Sequence, residues 1–586
     1  MSKRLRPAGP AAKSRKTATV LSTRTPDSED LQCTAALEDT MQALGCIPEL
    51  EAVRAATVHL VEACVSAWVR DVAINIGLSQ EQVAQAGCKL LPLGSCALGA
   101  PGPSSDVDCV AVVPYFVNRQ AFFAADGLSA RLQRDLKGLD VGSLHPVPAA
   151  FVPVIKFVVD NVPVDLLLAR LRLPQIPATL SAEDPGLLAR CMEEADVHSL
   201  NGARVAGAIL RRVPDQARFR TTLRAVKLWA RRRGLDQQSC GYPGGVGWAL
   251  LTARICQLHP NAAPSTLLDK FFLTWTIWRF GDPDLGISEG LPVLLDDPAA
   301  TSAASTASAE EPPLPPHLAG GMSEWTPRDR GSLMPIITPC KPRLNSTHTI
   351  SRSTLALLKD EIKRASALAA QARSAAGRAS ALATGAASSS SAWAADERWA
   401  ALFEPLEFFA AYPHFVVVEM AAATGSELAH WRAYIKARLH RLVLQIEKVP
   451  GVEAVHPLPW PLCAPAVATT ELVKEMVNTA PGAEDVASTQ GARSLCSSFF
   501  LGLRFAPGAG ERPMPGDARY LDLRPAVVAF GTQINAWADK AALCPSAKAA
   551  VRHTPRADIP ANLGRGACLL PFDDPLDAIA ITSGCD

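Results

Sequence analysis

The chain has 586 residues, with 58 Lys and Arg against 57 Asp and Glu and a formal net charge of +1. A chain this long exceeds one hydrophobic core, so three or four domains are expected. The even charge excludes binding of nucleic acid through overall basicity and leaves only local patches for it. Fifteen cysteines are scattered without a Cys-x-x-Cys pair or a zinc-spaced Cys/His cluster, so reduced thiols are expected. No uninterrupted apolar run reads as long enough to span a bilayer, and no membrane association is expected.

In chain order, residues 1–28 read as a disordered basic segment holding Lys3, Arg4, Arg6, Lys13, Arg15 and Lys16, with no acid before residue 27. Two basic clusters fit a nuclear localisation signal, and the same composition fits an organelle transit peptide. Leu31 to Val83 has helical spacing of its apolar residues. Residues 84–175 read as strands, among them a pair within Val154 to Leu168 around an Asp160-Asn161 turn. A helical region is expected over about 196–295, with Gly234 ending the helix that begins near Phe219. Residues 296–321 read as a low-complexity insertion and 365–395 as an Ala/Ser-rich one with spaced Arg, expected to be partly helical. Phe415 to Glu419 and Phe499 to Phe505 read as strands and Glu427 to Glu447 as one amphipathic helix, the alternation of a small α+β sandwich. After about Leu503 no pattern is assigned.

The chemistry concentrates in Leu93 to Val113. Gly94-Ser95 make a turn, a Gly/Pro/Ser-rich connection follows, and Asp106 and Asp108 stand at i, i+2 before the apolar run Cys109 to Val113. Strand side chains alternate, so both aspartates share one face while Val107 and Cys109 turn to the core. Such a pair suits Mg²⁺ held together with substrate phosphates, which makes a nucleoside triphosphate the natural third party. A two-ion scheme, with ions roughly 3.5–4 Å apart, asks for one more acid. Asp165 supplies it from within an apolar strand, where a charge is costly unless paired or metal-bound. Pairing with Arg170 or Arg172 is the alternative reading.

These residues resemble the nucleotidyltransferase superfamily shared with DNA polymerase beta and, within it, the eukaryotic nuclear-type poly(A) polymerases. The likeness is carried by Gly94 to Pro114, Phe151 to Lys156 leading to Asp165-Leu166-Leu167, Ser199-Leu200-Asn201-Gly202, Phe219 to Arg224, Lys227 to Ala230, Gly244-Gly245-Val246 before Trp248-Ala249, Met334 to Pro339 and Asn345-Ser346-Thr347. Several blocks in family order over about 55–450 are far more specific than any one motif.

The resemblance implies an α+β multidomain chain. Its parts would be a basic segment (1–28), N-terminal helices with a polymerase-beta-like catalytic domain (29–200), a helical central domain (201–350), an RRM-like RNA-binding domain (351–560) and a tail (561–586). The aromatic signature of a true RRM is not visible. The implied activity is addition of a poly(A) tail from ATP to RNA 3′ ends with release of pyrophosphate. A uridylyl or relaxed-specificity transferase and a catalytically weak RNA-processing scaffold are the alternatives.

Asp106, Asp108 and Asp165 would be the catalytic metal ligands for Mg²⁺, with Mn²⁺ as the alternative ion. Gly94 and Ser95 would meet the β- and γ-phosphates, Phe151 and Val246 the base, Asn201 the ribose, and Lys156 and Lys227 the nucleotide and its phosphates, with Gly244 and Gly245 beside them. Asn201 also reads as a helix N-cap, Phe151 as core and Lys227 as a solvated helix charge. Implied partners are ATP, the RNA 3′ end and cleavage and polyadenylation factors, for a monomer in the nucleus; an organelle is the alternative if residues 1–26 are a transit peptide. Asp236 stands where the family usually has Tyr, Gly247 where it has Ser, Leu93 where it has Phe and Cys96-Ala97 where it has Tyr-Arg. An acid beside a triphosphate would repel it.

Overall fold

The computed structural model describes residues 20–46, 50–102, 105–148, 152–282, 285–297, 315–318, 324–326, 331–383, 399–462, 496–506 and 521–559. The basic clusters before residue 17, Phe151, most of 296–321, residues 384–395 and the tail 561–586 lie outside the described residues.

The catalytic half is built on five strands, β1 (Lys89–Pro92), β2 (Val107–Pro114), β3 (Leu139–Val147), β4 (Val154–Val159) and β5 (Val162–Leu171), in the order β1-β2-β5-β4-β3. β2 and β5 are parallel and every other neighbour is antiparallel. The β4–β5 turn has Asp160 and Asn161 at φ 48° and 63°, the left-handed pair that a two-residue hairpin requires.

Helices α1 (Ser28–Ala43), α2 (Leu50–Asn75) and α3 (Gln80–Gln85) precede the sheet, as the spacing predicted. Cys109, Ala111 and Val113 pack with Val61, Val65 and Trp68 of α2 on one face of the sheet. Val110, Val112 and Ala169 pack with Val197 and Leu200 of α7 (Glu194–Arg212) on the other. α4 (Gly94–Leu98) follows β1, and α5 (Arg119–Phe123) and α6 (Ala130–Asp135) follow β2.

One expectation needs correction here. The span Ala52–Asn75 of α2 is long and apolar enough, by length and composition, to cross a bilayer. Val61, Val65, Trp68, Val69 and Ala73 of this helix are buried against the sheet, while Leu60 and Ile74 are exposed.

The central unit comprises α8 (Gln216–Arg232), α9 (Gly245–Leu258) and α10 (Pro264–Ile277), with α11 (Arg352–Ala383). Its core is aromatic: the Trp229 ring lies 5.7 Å from Trp248 and 4.9 Å from Phe272. Four boundaries differ from the sequence reading. α7 runs through residue 200, so the expected boundary there falls inside a helix. α1 packs on α10 and α11, because Leu37 and Met41 complete the central core. The Ala/Ser-rich stretch is partly helical, as expected, but its residues 365–383 end α11 and belong to the central unit rather than the third, with Ala365, Ala369 and Ala372 small enough for close helix contact. The helical run ends at Ile277, and 278–297 is irregular, with Asp296 and Asp297 held by Arg254 and Arg212. At the start of the chain, Leu21 N–H donates to the Leu258 carbonyl at 2.8 Å, so part of the segment read as disordered is ordered.

The third unit begins with the short α12 (Phe408–Ala411) and has four antiparallel strands, β6 (His414–Ala421), β7 (Val452–Pro457), β8 (Cys496–Phe505) and β9 (Lys548–Pro555), in the order β7-β8-β6-β9. The expected single helix is two, α13 (Gly425–Lys436) and α14 (Leu439–Ile446), broken at Ala437 and Arg438. The unassigned C-terminal region supplies α15 (Arg524–Asn535), α16 (Lys540–Leu543) and the edge strand β9. α13 and α14 join β6 to β7 and α15 joins β8 to β9, the split βαβ arrangement of an RRM-like fold.

Candidate active site

The parallel pairing of β2 with β5 sets Asp108 directly opposite Asp165, and the antiparallel β4 sets Lys156 opposite Asp165. All three lie on the sheet face that α7 covers, because their strand neighbours Cys109, Leu166 and Phe157 point to the α2 side. Lys156 and Asp165 form an ion pair. The Arg alternatives fall away: Arg170 pairs with Glu193 and Asp196, and Arg172 meets His317. Asp106 is exposed, two residues before Asp108. Burial pushes the Asp108 carboxyl up to about 7, and the charges of Asp165 and Asp106 push it the same way.

Gly94 belongs to this centre. Its φ is +52°, and a Cβ there would lie 2.8 Å from Asp108 Oδ2, so any side chain would displace that carboxylate. Leu93 N–H donates to the Asp108 carbonyl at 2.9 Å, and Ser95 follows in the first turn of α4. Asn201 lies inside α7, which removes the N-cap reading; it is 8% exposed and its Oδ1 has no hydrogen-bond partner. A buried acceptor left open is costly, and a ligand hydroxyl or amine would satisfy it.

A cavity of about 220 Å³ adjoins the loop that leads into Asp106, with Ala100, Gly102 and Ser105 on one wall and Lys227, Arg231, Asp236, Gly244 and Gly245 on the other. Burial, and then the Arg231 charge, push the Lys227 ammonium down to about 8. It donates to the Ala100 carbonyl at 2.9 Å, so it is no solvated charge. Burial also raises the Asp236 carboxyl despite the opposing charges of Arg231, Lys436 and Lys227, and its Oδ1 is buried without a partner. Val246 packs partly against the central core beside the cavity.

Sequence reading missed the grip on the loop. Arg220 Nε donates to the Leu98 carbonyl at 3.1 Å and Arg224 Nη2 to the Gly99 carbonyl at 2.9 Å, so with Lys227 three cations of α8 hold three successive carbonyls. Arg54 of α2 takes the Gly102 and Ser105 carbonyls at 3.1 and 3.2 Å. The i, i+4, i+7 spacing of the α8 cations was the available signal.

The carboxylates offer only oxygen donors and repel one another, which fits a divalent cation. Among the described residues no three His, Cys, Asp or Glu side chains close into a metal cage. The set therefore suits an ion shared with a phosphate ligand.

Residues 17–213 match the family model for the poly(A) polymerase nucleotidyltransferase domain, 218–384 that for the poly(A) polymerase central domain, and 407–567 that for the poly(A) polymerase predicted RNA binding domain. The chain belongs to the poly(A) polymerase family. Nuclear poly(A) polymerase 4 of Arabidopsis thaliana is 32% identical over 482 residues, 81% of this chain and 54% of its own. Nuclear poly(A) polymerase 1 of the same plant is 31% identical over 542 residues, 91% and 64%. Poly(A) polymerase PAPalpha of Candida albicans is 34% identical over 410 residues, 69% and 64%. The chain thus spans less than two thirds of the length of each of these relatives. A solved structure of the RNA terminal uridylyl transferase Cid1 matches 64% of this chain and 99% of its own at 14% identity and a TM-score of 0.37, too low to bear on nucleotide choice.

Of the departures from the poly(A) polymerase pattern, Gly247 and Leu93 have a local packing reason. A Cβ at Gly247 would lie 3.1 Å from Pro243 Cβ and 3.6 Å from Ser346 Oγ, so a larger residue there would crowd Pro243. Leu93 is 7% exposed in the core between β1 and α7. The nucleotidyltransferases of this family work with divalent metal ions.

Proposed function

We propose that this chain is a polynucleotide adenylyltransferase that extends RNA 3′ ends from ATP. The observation that carries the reading is the juxtaposition of Asp108 and Asp165 on parallel strands, beside a basic cavity and a glycine turn that no side chain could share.

In this reading Asp106, Asp108 and Asp165 hold Mg²⁺, or Mn²⁺, which when bound neutralises charge on the triphosphate. Gly94 leaves room for the β- and γ-phosphates beside Asp108, and Ser95 offers them a hydroxyl. Lys227 and Lys156 exchange their present partners, the Ala100 carbonyl and Asp165, for phosphate oxygens. Asn201 Oδ1 accepts from a ribose hydroxyl, Phe151 and Val246 flank the base, and Gly244 and Gly245 let the backbone approach the nucleotide. Once Lys156 has moved, Asp165 accepts the proton of the RNA 3′-hydroxyl. The 3′ oxygen bonds to the α-phosphorus, the bond from that phosphorus to the β-phosphate oxygen breaks, and pyrophosphate leaves. Positioning and charge stabilisation supply the acceleration, and no covalent enzyme intermediate is needed. The working state is a monomer in the nucleus, supplied with RNA by cleavage and polyadenylation factors.

The test is extension of a labelled RNA primer with each nucleoside triphosphate separately, in Mg²⁺ and in Mn²⁺, beside Asp106→Ala. Elongation with ATP alone, lost in the variant, is the expected result. Extension with UTP or with all four would replace adenylyl by uridylyl or relaxed transfer, and no extension with either metal would leave a scaffold.

A further inference from the structure

Phe415 and Val417 of β6 turn to the side of the third sheet that Phe408 and Phe409 cover. Their neighbours Val416 and Val418 therefore face the helices, where they join the core shared with α13 and α14. His414 lies on that same face, at the start of β6. His553 of β9 stands directly opposite Val416, so it shares the face and meets His414 as a diagonal neighbour across the ladder.

The two rings come close enough to act together. Nε2 of His553 lies 3.2 Å from Nδ1 of His414, and the ring centroids are 5.1 Å apart with 30° between the planes. On the other flank of β6, Phe505 of β8 backs His414 at 5.2 Å between centroids. Three rings from β8, β6 and β9 thus line one end of the sheet. His553 is exposed and His414 half-buried, so the pair opens to water. The neighbouring cations are turned elsewhere: Arg552 pairs with Glu419, and Arg556 donates to the Ala410 carbonyl at 3.0 Å.

Two bare imidazoles share a single proton across such a gap, because protonating both sets like charges against each other. A metal ion takes one lone pair from each neutral ring at once. Two nitrogens bound to one zinc at about 2.0–2.1 Å and the tetrahedral angle stand about 3.3–3.4 Å apart, close to the spacing here. Imidazole donors suit zinc and its transition-metal neighbours, whereas Mg²⁺ prefers oxygen. The geometry points to a metal site apart from the carboxylate centre: His414 and His553 chelate one ion of the Zn²⁺ class, with water in the remaining positions, and so clamp the edge strand β9 to β6. Among the described residues no third His, Cys, Asp or Glu joins the pair, which makes the site weaker than a closed structural zinc centre. The site is independent of the polymerase reading, since it uses none of the catalytic residues.

The test is calorimetric titration of the full chain with Zn²⁺, with Mg²⁺ in excess to occupy the carboxylates and a non-thiol reductant present. It compares the parent with His414→Gln, His553→Gln and, as a control on a histidine of α13, His430→Gln. One zinc-binding event of the parent and of His430→Gln is expected to weaken at least about tenfold in each of the other two, since losing a ligand costs no less than losing its outer partner. Equal affinities in all four proteins overturn the site, as does a parent that binds no zinc. Binding that survives both substitutions and disappears on thiol alkylation belongs to cysteine and overturns it as well. If either variant melts earlier than the parent in a chelator, the parent alone carries the test. Carbethoxylation of His414 and His553, read by peptide mass spectrometry, should fall when Zn²⁺ is present, and equal modification with and without the ion overturns the assignment.

Discussion

Lys227 Nζ and the Ala100 carbonyl, 2.9 Å apart, join the central helices to the loop that delivers Asp106. Arg220 and Arg224 repeat the contact on Leu98 and Gly99. All three bonds go to main-chain oxygen, so the cations hold the path of the loop without depending on its side chains. Replacing Arg224 with Met should lower kcat for RNA extension about tenfold to a hundredfold, because small misplacements of catalytic groups cost that much. The KM for RNA should stay near the parent value, and Arg224→Lys should recover part of the loss. Steady-state kinetics on both variants decide it; an unchanged kcat would show that the loop holds its place without the arginine.

Gly99 tests the same grip from the other side. Its φ is +64°, and a Cβ would lie 2.5 Å from Arg220 Nε. Gly99→Ala should cost about 1–2 kcal/mol through the left-handed backbone and the displaced arginine. Chemical denaturation measures the cost, and a stability equal to the parent's would mean that Arg220 can retreat freely.

Asp108 is a charge placed for function at the expense of stability. With its carboxyl raised to about 7 by burial and by two neighbouring acids, Asp108→Asn should abolish extension yet stabilise the metal-free protein by about 1–2 kcal/mol. Thermal melting in a chelator reads this out. A lower melting temperature for the variant would mean that the carboxylate is repaid by contacts in the metal-free state.

Asp236 places a buried acid in the basic cavity. Asp236→Asn removes that charge at nearly constant volume, and the KM for ATP should fall about fivefold, the effect of relieving one screened repulsion. A KM that rises would identify the carboxylate as a ligand contact.

His456 makes the join between the central and third units sensitive to acid. Its ring is fully buried, bonded to the Tyr412 hydroxyl at 2.6 Å, and burial pushes its pKa down from 6.5 to about 4. The folded state therefore binds this proton less readily than the unfolded chain. The stabilisation is complete above about pH 6.5 and is lost as pH falls toward 4, by about 3 kcal/mol at the acid end. Unfolding free energies across pH 7 to 4 should show this slope, and His456→Gln should flatten it. Equal slopes in the two proteins would assign the acid sensitivity to other groups.

The sequence by itself determined the paired strands around Asp160-Asn161 and those at Phe415 to Glu419 and Phe499 to Phe505, and it singled out Asp165, because an acid inside an apolar strand announces itself through its cost. It also located the turn at Asp160-Asn161 and the end of α8 at Gly234, since local backbone preferences act over a few residues. Only tertiary structure decided that Asp165 stands opposite Asp108, because the register of two parallel strands more than fifty residues apart is fixed by the packing of both sheet faces. The same holds for the contact of Lys227 with the loop at Ala100: the sequence offered this lysine as a phosphate ligand or as a solvated helix charge, and neither reading contained the carbonyl it meets. α1 and α11 join the central core, and Phe408 and Phe409 close the third sheet, for one physical reason: apolar faces are buried against whatever surface the whole chain leaves open, and that surface is a property of the assembled fold.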